Sequence, residues 1–241
     1  VLVIAATDSS GGAGLTRDAR VFTDFEVDLL CAVTAVTAQS NTRVTHVHHV
    51  PPEAIRAQIA AAFETRPITA VKIGMLGTRA TVEAVAESLP FDPVLPIVLD
   101  PVLVSSSGGV LLDTEGRAAM CKILFPRATI VTPNIPEAAM LLGDRPALTE
   151  RALIAQAQRL LGLGPRAVLL KGGHGAGEEA VDLLVSENTV QRIASPRVEA
   201  VRRGTGCALA SAIAAGLASG VTLVDACQQA KRYLQELLCP P

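Results

Sequence analysis

Short, nearly continuous apolar runs alternate along this chain with longer Ala-rich stretches, and that alternation limits the folds open to it. Residues 2–5, 28–36, 70–73, 97–99, 129–131 and 167–170 read as strands buried on both faces. Helical patterns lie between and after them at 14–25, 52–64, 79–88, 115–124, 135–142, 150–161 and 208–219. Thr149 can cap the helix over 150–161, with Glu150 in its first turn and Gly162 at its end. Strand–helix alternation of this kind predicts an α/β fold with a doubly wound, mostly parallel sheet flanked by helices. The segment 181–193 is the one antiparallel-looking piece, a hairpin. No repeat, linker or low-complexity tract divides the chain, so one domain over residues 1–241 is expected.

Composition narrows the function classes. Of the 241 residues 49% are hydrophobic, yet the aromatics are five Phe and one Tyr, with no Trp. A net charge of -2 with that apolar content excludes disorder. The absence of a basic excess and of stacking aromatics argues against nucleic-acid binding. Residues 204–224 run uncharged for long enough to span a bilayer. They are rich in Gly, Ala, Ser and Thr, and basic residues abut only one end, so a buried core helix is expected and a membrane partner is not. No basic n-region precedes an apolar stretch at the start, so no secretory signal is read. Five scattered cysteines with no C-x-x-C pair predict reduced thiols and a cytoplasmic protein.

The unusual chemistry sits in loops that follow predicted strands, where open parallel sheets bind ligands. Gly204-Thr-Gly-Cys207 precedes an Ala-rich helix whose first amides attract anions. The helix dipole there is expected to favour the Cys207 thiolate. Local sequence equally allows a tight turn with a small buried Cys. Asp8-Ser-Ser-Gly-Gly-Ala-Gly14 is neither a Walker A loop nor a dinucleotide fingerprint; a plain helix N-terminal turn fits it as well. Asp100, Asn134 and Glu137 at strand ends are oxygen ligands of the kind magnesium takes, although Asn134 and Glu137 also have capping-box spacing. Lys171 could neutralise a phosphate or simply be solvated. His46 and His48 would share a strand face, but no acidic or Cys partner lies nearby in sequence to make a metal site.

Seven motifs in order resemble the hydroxymethylpyrimidine/phosphomethylpyrimidine kinases of the ribokinase-like superfamily. They are Asp8-Ser-Ser-Gly-Gly-Ala-Gly14, Thr34-Ala-Val-Thr-Ala-Gln39, Lys72-Ile-Gly-Met-Leu76, Asp100-Pro-Val102, Thr132-Pro-Asn-Ile-Pro-Glu-Ala138, Lys171-Gly-Gly-His174 and Gly204-Thr-Gly-Cys207. The resemblance implies a ribokinase-like fold. It also implies transfer of the ATP γ-phosphoryl group to 4-amino-5-hydroxymethyl-2-methylpyrimidine, then to its monophosphate, in thiamine biosynthesis. On that basis Gln39 binds the aminopyrimidine, while Ala6, Asp8, Ala13, Met75 and Val102 complete its pocket. The amides of Gly204, Thr205, Gly206 and Cys207 form an anion hole, and Cys207 is the base. Asp100, Asn134 and Glu137 organise Mg2+, partly through water. Lys171, Lys231 and Asn134 meet the nucleotide, and a homodimer is expected.

Three positions depart from the family pattern. Ala6 replaces a Gly, Ser9 replaces the Pro after Asp8, and Arg202-Arg203 replaces Thr-His. These arginines could bind a substrate phosphate or sit on the surface; the surface is the favoured expectation, because neighbours on an extended segment point apart. A pyridoxal or hydroxyethylthiazole kinase, and a catalytically silent binding protein of the same fold, are the competing readings.

Overall fold

The computed structural model describes residues 1–105, 108–173, 177–198 and 203–239. Among the described residues, nine strands form one sheet in the order β3-β2-β1-β4-β5-β6-β7-β8-β9. They are β1 (Leu2–Asp8), β2 (Leu30–Gln39), β3 (Val44–His49), β4 (Val71–Ile73), β5 (Ile97–Leu99), β6 (Ile130–Val131), β7 (Ala167–Leu170), β8 (Glu179–Ser186) and β9 (Thr189–Pro196). The run from β2 through β1 and β4 to β7 is parallel, and β3, β8 and β9 add antiparallel edges. The strands β1, β4 and β7 are almost wholly buried, as their continuous apolar sequences require.

The helices are α1 (Gly14–Asp24), α2 (Pro52–Thr65), α3 (Arg79–Ser88), α4 (Thr114–Ala119), α5 (Ile135–Leu142), α6 (Glu150–Leu161), α7 (Thr205–Ala218) and α8 (Leu223–Leu238). They pack on both faces of the sheet over two large cores. One core is built on Leu2, Ile4, Ile73 and Leu99, the other on Val3, Ala5, Val98 and α7. Alternating strand residues supply opposite cores, the period-two consequence of the pleat.

Several boundaries differ from expectation. β2 starts at Leu30 and runs through Gln39, because β1 pairs with it from Leu30 to Thr37 and β3 with it from Ala35 to Gln39. The helix expected over 115–124 passes into a π-turn at Met120–Leu124. The uncharged run 204–224 is α7, a turn at Gly220 and the start of α8, and no described helix is long and apolar enough to cross a membrane. Thr149 caps α6, accepting from the Ala152 N–H. All five cysteines are free.

Strand order reverses at β1, with β2 on one side and β4 on the other. Such a switch point opens a crevice beyond the carboxyl ends of the strands.

Candidate active site

A cavity of about 780 Å³ occupies that crevice. Every site residue named from the sequence lines it, from Ala6 and Gln39 at one end to Lys231 at the other. The molecule therefore gathers residues more than 200 positions apart in sequence into one continuous cleft.

One end of the cleft has a small-residue apolar wall. Ala6, Ala35, Met75 and Leu111 are buried together, and Val102 packs against them. No aromatic residue is among those described as lining the cavity. The Thr34 hydroxyl donates to the Met75 carbonyl at 2.6 Å, which fixes that wall against β2. Gln39 is anchored through its backbone, its N–H donating to Ser9 Oγ and its carbonyl accepting from the same hydroxyl, both at 2.8 Å. Its side-chain oxygen accepts a long 3.4 Å bond from Thr37.

Asp8 serves its own loop. One carboxylate oxygen accepts from the Ser10 N–H at 2.9 Å and the Ser10 hydroxyl at 2.8 Å. The other accepts from the Ala13 N–H at 2.9 Å and from Arg203 Nη2 at 3.2 Å. A carboxylate offers about four acceptor positions, so this one is saturated. Arg203 is thus not the surface residue expected from the sequence: its side chain is only 13% exposed, because Asp8 and the Ser40 carbonyl draw it into the cleft mouth. Arg202 and His174 lie outside the described residues.

At mid-cleft, Gly204 stands at the N-cap of α7 and takes a left-handed conformation with φ of 74°. A Cβ there would run into the Gly12 carbonyl, so only glycine allows the turn to lie against the loop after β1. A Cβ on Gly206 would stand 3.0 Å from Lys171 Nζ. The opening amides of α7 have no partners within the helix, so the turn presents free backbone donors, of the kind that attract anions, beside a lysine. Cys207 follows in the first turn. Burial pushes its thiol up to about 11, with Lys72 and the Gly14 N–H pulling against Asp18 and Asp100. The expected thiolate is thereby corrected: desolvation outweighs the helix dipole, and Cys207 rests as a thiol.

Beneath Cys207 lies a network that sequence reasoning missed. Lys72 Nζ donates to Asp18 at 2.8 Å, and the Ser211 hydroxyl donates to the other Asp18 oxygen at 2.8 Å. Both charged side chains are wholly buried. Burial lowers the Lys72 ammonium, but Asp18, Cys207 and Asp100 outweigh it and raise it to about 12, so the lysine stays charged. A charged residue inside the apolar strand Val71-Lys72-Ile73 was the available signal, since such a group needs a buried partner.

The other end is rich in charge already paired. Lys171 donates to Asp100 Oδ1 at 2.9 Å, and Thr132 donates to the same oxygen at 3.2 Å. Lys231 donates to Asp182 at 2.8 Å, and the second Asp182 oxygen accepts from the Gly172 N–H at 2.8 Å. Asn134 and Glu137 form a full capping box at the start of α5, each accepting at 2.8 Å from the other's backbone N–H. Burial raises the Glu137 carboxyl to about 7; Lys171 opposes this and Asp100 adds to it.

A family model described as phosphomethylpyrimidine kinase matches residues 8–239. The chain belongs to that family. A hydroxymethylpyrimidine/phosphomethylpyrimidine kinase from Rhizobium meliloti is 43% identical over 97% of this chain and 88% of that protein. The crystal structure of a phosphomethylpyrimidine kinase from Clostridium difficile 630 superposes with a TM-score of 0.86 at 37% identity, covering 99% of this chain and 98% of that one. An ADP complex of Bacillus subtilis pyridoxal kinase gives 0.89 at 32% identity, over 96% of this chain and 88% of that one. The fold is therefore that of the ribokinase-like kinases, and this family member is a kinase.

Proposed function

We propose that this kinase transfers the ATP γ-phosphoryl group to the hydroxymethyl of 4-amino-5-hydroxymethyl-2-methylpyrimidine, and then phosphorylates the resulting monophosphate. The observation that carries this reading is the position of the Gly204–Cys207 turn between the apolar end and the charged end of one cleft. A flat, weakly polar ring suits the Ala6, Met75 and Val102 wall, and Gln39 offers a side-chain amide for the ring's amino and nitrogen groups. Hydrogen bonding, not stacking, then orients the ring.

Phosphoryl transfer needs positioning and charge neutralisation more than covalent chemistry. The amides at the start of α7 and the Lys171 ammonium stabilise the transferring group from two sides. Lys72 pulls the Cys207 thiol toward its charged form; once the thiol proton has passed to solvent, the thiolate takes up the hydroxyl proton late, which a loose transition state permits. Lys231, held by Asp182, acts behind Lys171 by fixing the Gly172 backbone.

Asp100 and Glu137 are hard oxygen donors, and a cation beside Glu137 would offset the burial that disfavours its charged form, so the residues present fit Mg2+ carried in with ATP. Asp100 would hold the ion, and Glu137 with Asn134 would hold its waters. The metal supplies charge neutralisation between phosphates. A single catalytic domain working as a cytoplasmic homodimer completes the reading.

A coupled assay of ADP release with the pyrimidine, pyridoxal and hydroxyethylthiazole alcohols tests it. The expected result is preferred turnover of the pyrimidine. Preference for pyridoxal, the ligand named for the Bacillus subtilis neighbour's activity, would replace the reading. Binding of the pyrimidine without turnover of any alcohol would indicate a silent binding protein.

A further inference from the structure

Arg203 stands where its family pattern has a different residue, and it ties together three segments that are distant in sequence. Its Nη1 donates to the Ser40 carbonyl at 2.6 Å, in the turn after β2, and to Ser10 Oγ at 3.0 Å, in the loop after β1. Its Nη2 donates to Asp8 at 3.2 Å, at the end of β1. The next residue, Gly204, opens the turn at the start of α7 and is pressed against the Gly12 carbonyl. We propose that Arg203 is a positioning residue that clasps the acceptor loop, the β2 turn and the anion-hole turn into one rigid unit. This proposal rests on the kinase reading for its catalytic consequence, though not for the clasp itself.

The geometry explains why an arginine is needed. Its planar fork reaches a carboxylate, a hydroxyl and a carbonyl at once, whereas a lysine ammonium is a compact point charge. The Asp8 carboxylate is the second half of the clasp, because it also holds the Ala13 N–H immediately before α1. Two helix starts, those of α1 and α7, are therefore held by one ion pair whose side chains are 13% and 3% exposed. An amide donor displaced by a fraction of an ångström loses much of its value to a transition state, so loosening this clasp affects turnover before it affects the fold.

The test compares wild type with Arg203→Met and Arg203→Lys by amide hydrogen exchange and by kinetics. In Arg203→Met, peptides covering 9–14 and 203–208 should exchange about tenfold faster, while the β8–β9 hairpin stays unchanged, since local opening is governed by local contacts. Arg203→Lys should recover part of that protection. With ATP and the pyrimidine alcohol, Arg203→Met should lose about 10- to 100-fold in kcat while the KM for ATP moves less than about twofold, because the misplaced groups serve the transition state. Unchanged exchange in both peptides would overturn the clasp, and so would equal loss of protection across the hairpin. If wild type turns over no pyrimidine, the pyrimidine reading fails, and the exchange data still decide the clasp.

Discussion

The two ends of the cleft are built on the same device and use it differently. Each has a buried Lys–Asp pair at 2.8 Å: Lys72 with Asp18 below the acceptor end, Lys231 with Asp182 at the far end. The first pair is sealed completely and sits under Cys207, with Ser211 as a third member. Lys72 of the first pair also reaches the cavity wall, but Asp18 does not, whereas both Lys231 and Asp182 line the cavity, and Asp182 passes its order to the backbone of Gly172. Near the acceptor, then, buried charge sets a fixed electrostatic floor. At the other end it stiffens a loop that bears Lys171, which faces the turn at the start of α7.

The seam between the ends should be the most sensitive point. Gly206→Val should abolish turnover, a loss of about 10³-fold or more, because its side chain would push into Lys171 3.0 Å away and block the amides. ADP release measures it, and activity above a tenth of wild type would show that the seam is not where the groups meet. Next comes stability. Lys72→Met leaves Asp18 buried and unpaired, and urea unfolding should report a loss of about 3–5 kcal/mol. Lys231→Met should fall at or below the bottom of that range, since Asp182 can rehydrate from the cavity. Equal losses would erase the distinction between the two pairs.

Smaller effects probe the far end alone. Asn134→Ala removes the α5 cap and should cost about 1 kcal/mol. Glu137 adds a pH dependence. Its carboxyl rises from 4.5 to about 7 on folding, so the folded chain holds that proton more tightly than the unfolded one. The resulting stability is full below 4.5 and is lost as pH rises through 7. Without nucleotide, Tm should therefore fall by a few degrees across that window relative to Glu137→Gln, which keeps the capping acceptor, at about 2–4 °C per kcal/mol for a chain of this size. Parallel Tm curves for the two proteins would remove Glu137 from the explanation.

The same contrast explains what could be read from the sequence. The acceptor wall and the anion-hole turn are local motifs: Thr34 to Gln39, Lys72 to Leu76 and Gly204 to Cys207 each carry their residues within a few positions. The strand-end placement of Asp100 and Lys171 followed from the apolar runs that precede them. Which charge pairs with which did not follow, because Lys72 and Asp18 are 54 positions apart and Lys171 and Asp100 are 71 apart. Arg203 illustrates the limit: alternation along an extended segment predicted exposure, but the left-handed Gly204 turns the chain so that the guanidinium meets Asp8. The protonation of Cys207 was misjudged for a related reason. A helix dipole is visible in sequence, whereas the depth of burial that overrides it is a tertiary quantity.

The central claim is that one cleft joins an apolar acceptor end to a phosphate end through the Gly204–Cys207 turn. Its most direct test follows the pyrimidine alcohol with Mg·ATP by mass spectrometry, using wild type and Cys207→Ala. Wild type should form the monophosphate and then the diphosphate, and Cys207→Ala should do both about 10²-fold or more slowly, as loss of a general base predicts. Full turnover by Cys207→Ala, or no phosphorylated pyrimidine from wild type, would contradict the claim.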